Sequence, residues 1–370
     1  MALIFWMMSW NASVNAELSG ISAEAYILLD ADSGQVLEAK NEHTQLPPAS
    51  MTKLMTLILA LEALDEGKVK PEDQVRISGK AVGIGGSQIF LAENEMMSYQ
   101  DLLISIAVGS ANDSCVAVAE YLAGSEENFI QAMNAKTVEL GLQDTHFANT
   151  NGLPVADHYS SAHDMAMLGY YALKSSRVLE YTSIKEYTLR EGNFELHNTN
   201  QLLWWYEGAD GLKTGWTTEA KYCLTATAKR DELRLISTVM GSPQPNGQFQ
   251  DSIQLLNYGF DHYGFQSFFI KDSVAANLPV GKGNISEIEA VAAGNVGMLY
   301  RKDEDNAIRY ELSIRKKLNA PIVKGEKLGD IIIYNHNSEY KRVDLLAGQS
   351  VARGGIGRQI LKMFGKTYLI

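Results

Sequence analysis

Cysteine is nearly absent from this 370-residue chain, with Cys115 and Cys223 the only two. So few exclude a disulfide framework. Each lies in an apolar setting and reads as a buried thiol, or the two form a single bridge. Positive charge is scarce as well: 32 lysines and arginines stand against 44 acidic residues, a formal net charge of −12. That balance argues against a nucleic-acid partner. Helical metal-ligand pairs such as H-E-x-x-H are missing. His158 and His163, beside Asp157 and Asp164, therefore read as loop and helix-cap residues, and no metal or cofactor is expected. Internal repeats and low-complexity segments do not stand out. The apolar run from Met1 to Trp10 is too short to span a bilayer. With the small-x-small pattern Val14-Asn15-Ala16 it reads as a secretory signal peptide cut after Ala16.

What is present is enough apolar content, 46%, for a large core shared between two domains. Ala25 to Asp30 and Val36 to Ala39 read as strands joined by a turn at Asp32-Ser33-Gly34. Tyr99 to Ala123 reads as two helices, because Gly109 and Ser110 interrupt the pattern where a turn is favoured over a helix interior. Glu126 to Leu140 continues as an amphipathic helix, and Ser161 caps another. Strands are expected again over Leu212–Thr217, Tyr222–Ala228 and Arg234–Met240, then a helix over Asp251–Tyr258. Strands at both ends with helices between imply an α/β (α+β) domain, 17–264, whose largely antiparallel sheet is flanked by helices. From 265 to 353 short alternating runs such as A-I-R-Y-E-L-S-I-R predict a small all-β C-terminal domain, a sandwich. In the tail, 354–370, Arg358, Lys362 and Lys366 recur every four residues opposite an apolar face. This basic amphipathic helix reads as a ligand for an anionic membrane surface.

The stretch that organises the chain is Pro47 to Leu64, P-P-A-S-M-T-K-L-M-T-L-I-L-A-L-E-A-L. Its two prolines close off what precedes them. From Met51 onward, helix-favouring apolar residues occupy almost every face, which predicts a central, buried helix. Ser50 opens it, and Lys53, three residues on, shares its face. A buried amine beside a hydroxyl is what a serine nucleophile with a lysine base needs, and free N–H groups at a helix N-terminus favour a developing oxyanion. The competing reading of Ser50 is a plain N-cap. S-x-x-K recurs at Ser313–Lys316, in a strand-like run, and at Ser338–Lys341, in a turn, but only Ser50 opens a buried helix. Two further motifs follow in order: Ser110-Ala111-Asn112 at the break between helices, and Lys213-Thr214-Gly215 at the start of a strand.

This ordered set, S-x-x-K then S-x-N then K-T-G, marks class A β-lactamases and penicillin-binding proteins. On it the chain resembles the low-molecular-mass penicillin-binding proteins that act as D-alanyl-D-alanine carboxypeptidases. The resemblance covers nearly the whole length, from signal peptide to basic tail. It implies a penicillin-binding-protein/β-lactamase-like fold and an extracytoplasmic enzyme bound to the outer face of a bacterial membrane. The implied substrate is a peptidoglycan stem peptide ending in D-Ala-D-Ala, and β-lactam antibiotics would acylate the same serine. Residue by residue, Ser50 would attack the scissile carbonyl and Lys53 would take its proton. Ser110 would relay a proton to the leaving amine, and Asn112 would hold the substrate amide. Lys213, with Thr214 and Gly215, would receive the terminal carboxylate and depress the Lys53 pKa from its usual value of roughly 10.4. The backbone N–H groups of Ser50 and Trp216 would form the oxyanion hole. A histidine or another aromatic is frequent in the family where this chain has Trp216, which bears on substrate preference and not on the chemistry. A serine β-lactamase would share these motifs but needs fast deacylation, for which the sequence offers no clear carboxylate. A non-turnover wall sensor also shares them, and release of D-alanine separates it from an enzyme.

Overall fold

The computed structural model describes residues 18–175 and 177–355. The expected signal peptide, and the basic tail beyond its first two residues, lie outside the described residues. The chain divides into two units, the first running to Gly259 and the second starting at Phe260.

In the first unit β1 (Ala25–Asp30) and β2 (Val36–Lys40) form a hairpin that leads into α1 (Lys53–Asp65). A small hairpin follows, β3 (Gln74–Arg76) with β4 (Met96–Ser98). Next come α2 (Tyr99–Val108), α3 (Asn112–Ala123), α4 (Glu126–Leu140), α5 (Ala162–Ser175) and the short α6 (Val178–Thr182). A second hairpin, β5 (Glu186–Leu189) with β6 (Phe194–His197), and a one-turn α7 (Leu202–Trp205) precede the main-sheet strands. Those are β7 (Ala209–Thr217), β8 (Lys221–Arg230) and β9 (Leu233–Ser242), after which α8 (Gly247–His262) closes the unit. The sheet runs β2-β1-β9-β8-β7 with every pairing antiparallel.

β1 is buried at all six positions. Ile27 and Leu29 face the helical core, against which α5 packs, and Leu28 meets Gly259 of α8 on the other side. Cover on both faces is why A-Y-I-L-L-D reads as a continuous apolar run instead of an alternating one. The interruption expected at Gly109-Ser110 is real: α2 ends at Val108 and α3 begins at Asn112. The hairpins and the short helices α6 and α7 had no sequence signal beyond turn residues, being too short to show a period.

Past the last turn of α8, the second unit is all β among the described residues. It contains β10 (Tyr263–Phe269), β11 (Val274–Pro279), β12 (Glu287–Ala292), β13 (Val296–Arg301), β14 (Ile308–Ile314), β15 (Lys327–Asn335) and β16 (Ser338–Ala347). A five-stranded sheet, β11-β12-β16-β15-β14, is faced by the pair β10–β13, with Val296, Leu328, Ile331, Ile333 and Leu345 in the core between them. Ser338, expected in a turn, is the first residue of β16.

Burial distinguishes the helices sharply. In α1 the side chains of Leu54, Met55, Leu57, Ile58, Ala60 and Leu61 are all inaccessible, since α2, α3 and α5 and strand β7 surround it. α4 lies at the surface and leaves Val138 81% exposed. Leu57→Ala should therefore cost about 2–5 kcal/mol, whereas Val138→Lys should change stability by no more than about 0.5 kcal/mol. Urea unfolding of both variants checks the contrast.

Candidate active site

The Pro47-Pro48 step does not feed straight into α1. Ala49–Thr52 forms a single 3-10 turn, and the α-helix begins at Lys53. Ala49 has φ +48°, in the left-handed region that alanine normally avoids. Ser50 makes no capping bond to either helix. Its hydroxyl instead accepts a hydrogen bond from Lys53 Nζ at 2.8 Å. The N-cap reading is overturned: a residue inside the 3-10 turn is past the cap position, and its side chain is free to meet the lysine one turn on.

Two glycines allow neighbouring backbone to press on this turn. A Cβ on Gly152 would lie 1.8 Å from the Ala49 carbonyl oxygen, and one on Gly215 would lie 2.7 Å from the Pro48 carbonyl oxygen. Gly215 belongs to β7, so the K-T-G strand runs directly against the turn that carries Ser50. On the same strand Lys213 is buried, with Nζ donating to the Thr214 carbonyl at 3.2 Å, and the Thr214 and Thr199 hydroxyls are 2.6 Å apart. Trp216 follows with its indole 57% exposed, tilted over the Tyr222 ring at 6.1 Å.

Ser110 and Asn112 stand at the break between α2 and α3, and Ser110 has φ +58°. Asn112 donates from Nδ2 to the Gly85 carbonyl at 2.8 Å, while its Oδ1 is buried without a hydrogen-bond partner among the described residues. The next residue, Asp113, was not singled out in the sequence. Its buried carboxylate accepts the backbone N–H groups of Ile89 at 3.2 Å, Leu91 at 3.1 Å and Ser114 at 2.9 Å. A charge so placed is satisfied by backbone donors, and it pins the 87–91 segment to the start of α3.

Burial governs the electrostatics. Desolvation lowers the Lys53 pKa to about 8, against weaker opposing influences from Cys115 and Asp113. Lys213 is lowered to about 7, first by burial and then by repulsion from Lys53. The second cation therefore depresses Lys213 visibly, whereas Lys53 owes its shift to its own burial. Physically the two amines are one coupled system, and an anion beside Lys213 would keep the proton there and leave Lys53 neutral. Cys115 and Cys223 are both free and buried, each Sγ donating to a backbone carbonyl at 3.3 Å, and burial raises each thiol to about 12.

Further residues enter from the loop after α4. Lys53 Nζ also donates to the Asn151 carbonyl at 2.5 Å. That carbonyl is aimed by a local net: Asn149 Oδ1 accepts from Gly152 N at 2.7 Å, Asn149 Nδ2 donates to Leu153 O at 2.8 Å, and Thr56 Oγ1 donates to Thr150 O at 2.6 Å. The run N-T-N-G is recognisable as a turn, but nothing in it announces a partner for a lysine about a hundred residues earlier in the chain. His158 is a structural group. Ala148 N–H donates to its Nδ1 at 3.0 Å, so Nε2 carries the hydrogen and donates to Thr52 Oγ1 at 2.7 Å. His163 and Asp164 pair with each other at 3.1 Å, and Asp164 also accepts from Asp144 N at 2.7 Å.

Burial, with His146 and Lys53 nearby, lowers the His158 pKa from 6.5 to about 4. A histidine kept neutral in the fold contributes stability that is full above pH 6.5 and is lost as pH falls towards 4. The wild-type chain should lose about 3 kcal/mol more between pH 7 and pH 4 than His158→Gln does. Urea unfolding at the two pH values measures this, and equal losses would remove His158 as the cause.

Known proteins resemble the chain over most of its length. Residues 11–244 match the family model described as D-alanyl-D-alanine carboxypeptidase, and residues 263–353 match that of the penicillin-binding protein 5 C-terminal domain. The D-alanyl-D-alanine carboxypeptidase DacF of Bacillus subtilis is 40% identical over 337 residues, 90% of this chain and 87% of the relative. DacA of Escherichia coli is 33% identical over 92% of this chain and 86% of its own length. Among solved structures, penicillin binding protein 5 from Haemophilus influenzae aligns with a TM-score of 0.72 at 31% identity, covering 90% of this chain and 98% of that one. Penicillin-binding protein D2 from Listeria monocytogenes, in its ampicillin-bound form, aligns at 0.60 and 31% identity over 65% of this chain and 99% of its own. The chain belongs to the D-alanyl-D-alanine carboxypeptidase family of serine peptidases, and has the fold of the low-molecular-mass penicillin-binding proteins.

Proposed function

We propose that the chain removes the terminal D-alanine from peptidoglycan stem peptides through an acyl-enzyme on Ser50. The observation that carries this reading is the direct Lys53–Ser50 hydrogen bond inside a buried site. When Lys53 is neutral, one of its N–H groups keeps the Asn151 carbonyl and its lone pair turns to the Ser50 O–H. The amine then takes the hydroxyl proton as Oγ adds to the carbonyl carbon between the two D-alanines. Backbone N–H groups of Ser50 and Trp216 receive the oxyanion. The C–N bond breaks as Ser110 relays a proton to the departing amine, and water then hydrolyses the ester with Lys53 again as base. Asn112, whose Oδ1 lacks a partner among the described residues, holds the amide on the acyl side. Lys213 and Thr214 receive the terminal carboxylate, for which a buried cation and a hydroxyl are suited, and Gly215 lets that strand approach the turn. β-Lactams acylate the same serine.

The chain is further proposed to be exported by the signal peptide 1–16 and held on the outer membrane face by its tail. The support is sequence pattern: Arg358, Lys362 and Lys366 recur every four residues, a spacing that would bring them to one face of a helix, and each base near an anionic surface contributes roughly 1 kcal/mol. No helix among the described residues is long and apolar enough to cross a membrane.

Four outcomes are expected. Ser50→Ala should abolish labelling by a fluorescent penicillin and release of D-alanine from a D-Ala-D-Ala pentapeptide, while circular dichroism stays unchanged; labelling that moves to Ser313 or Ser338 would defeat the assignment. Acylation should rise with pH through a group titrating near 8 and not near 10.4. Lys53→Arg should lose at least about 100-fold, because arginine does not release its proton; a rate flat from pH 5 to 10 would contradict a neutral-lysine base. Finally, truncation after Gly355 should release the protein from anionic vesicles without altering turnover of a soluble peptide, and equal partitioning of the two forms would exclude the tail as an anchor.

A further inference from the structure

Segment 85–91 is bonded to the S-x-N motif at several points. Asn112 donates from its backbone N to Ser87 O and from Nδ2 to Gly85 O, each at 2.8 Å. Asp113 takes the N–H groups of Ile89 and Leu91. Ile89 and Leu91 are buried, so the residue between them faces outward, and Phe90 is 70% exposed. It holds φ +55°, a conformation unfavourable for a bulky side chain.

The β5–β6 hairpin clamps the same segment from its other side. Arg190 donates from Nη1 to Ile89 O at 2.7 Å and pairs through Nε with Glu95 at 2.9 Å. Its guanidinium lies 5.5 Å from the centre of the Phe194 ring, and Phe194 meets Phe90 edge-on with centroids 6.4 Å apart. An aromatic ring is thus fixed outward, against both hydrophobic burial and backbone preference, on the segment that also holds Asn112. Such opposition to local preference is expected where function sets the conformation.

We propose that Phe90, backed by Phe194, is a specificity-determining wall for the acyl-donor side of the substrate. It packs against the aliphatic side chain of the residue that precedes D-Ala-D-Ala. The inference rests on the carboxypeptidase reading, which sets the direction of the peptide. Lys213 takes its carboxylate end and Asn112 the amide on the acyl side, so the upstream residue meets the segment bonded to Asn112. A long aliphatic side chain gains contact with the ring there, and a methyl group does not reach it.

The test uses the full chain and two peptides, Nα,Nε-diacetyl-L-lysyl-D-alanyl-D-alanine and Nα-acetyl-L-alanyl-D-alanyl-D-alanine. Phe90→Ala should lower kcat/KM for the lysyl peptide about tenfold, chiefly through KM, and leave the alanyl peptide within about twofold. Phe90→Leu should recover part of the loss, and penicillin labelling of Ser50 should be unaffected in both. Because the ring is exposed, both variants should melt with the wild type. Equal falls for the two peptides, or no fall for either, would overturn the wall while leaving the carboxypeptidase reading in place. Failure of the wild-type chain to release D-alanine from either peptide would overturn that reading and the wall with it.

Discussion

Two lysine amines, Lys53 and Lys213, are buried in the same neighbourhood, and keeping them dry constrains most of the larger unit. An ammonium group removed from water costs several kcal/mol unless it is paired or gives up its proton. Among the described residues neither amine has a carboxylate partner; Lys53 has a hydroxyl and a carbonyl, Lys213 a carbonyl. The response is a lowered proton affinity, which is what the base role proposed for Lys53 requires near neutral pH. A helix apolar on every side is the physical means of achieving it. Lys53 is the first residue of α1 and is as inaccessible as the apolar side chains that follow it, so the burial of that helix also lowers the proton affinity of the amine.

The energy released in that core supports strain around the site. Ala49, Ser110 and Phe90 all adopt left-handed backbone conformations without being glycine: Ala49 precedes Ser50, Ser110 opens the S-x-N motif, and Phe90 lies in the 85–91 segment bonded to that motif. Strain of this kind persists where surrounding contacts over-determine it. Here they do: Asp113 anchors segment 87–91 through backbone N–H groups, and Arg190 clamps it from the opposite side. Gly152 and Gly215 contribute in another way, by having no Cβ where two backbones press on the turn that carries Ser50.

Much of the fold was legible because its long elements carry strong periods. The all-apolar α1, the amphipathic α4 and the strands β7 to β9 were expected within a few residues of where they lie. α8 is longer than the eight residues expected, extending over Gly247–His262, because its first and last turns are polar and lack a clear stop signal. The 3-10 turn at Ala49–Thr52 was invisible, since it depends on a strained alanine and on Gly152 and Gly215 arriving from distant parts of the chain.

The sequence by itself determined which chemical groups are available and on which elements they ride: a serine and a lysine one helical turn apart, an S-x-N at a helix break, a K-T-G on a strand. Residue type and local periodicity suffice for that, because spacing along one element sets which side chains share a face. Only the tertiary structure decided that the Ser50 hydroxyl meets Lys53 instead of capping a helix, that the Asn151 carbonyl completes the amine's environment, and that burial outweighs charge in setting the Lys53 pKa. Those are matters of what surrounds a group in three dimensions. Desolvation and hydrogen-bond geometry depend on segments nearly a hundred residues apart in the chain, and no local pattern encodes them.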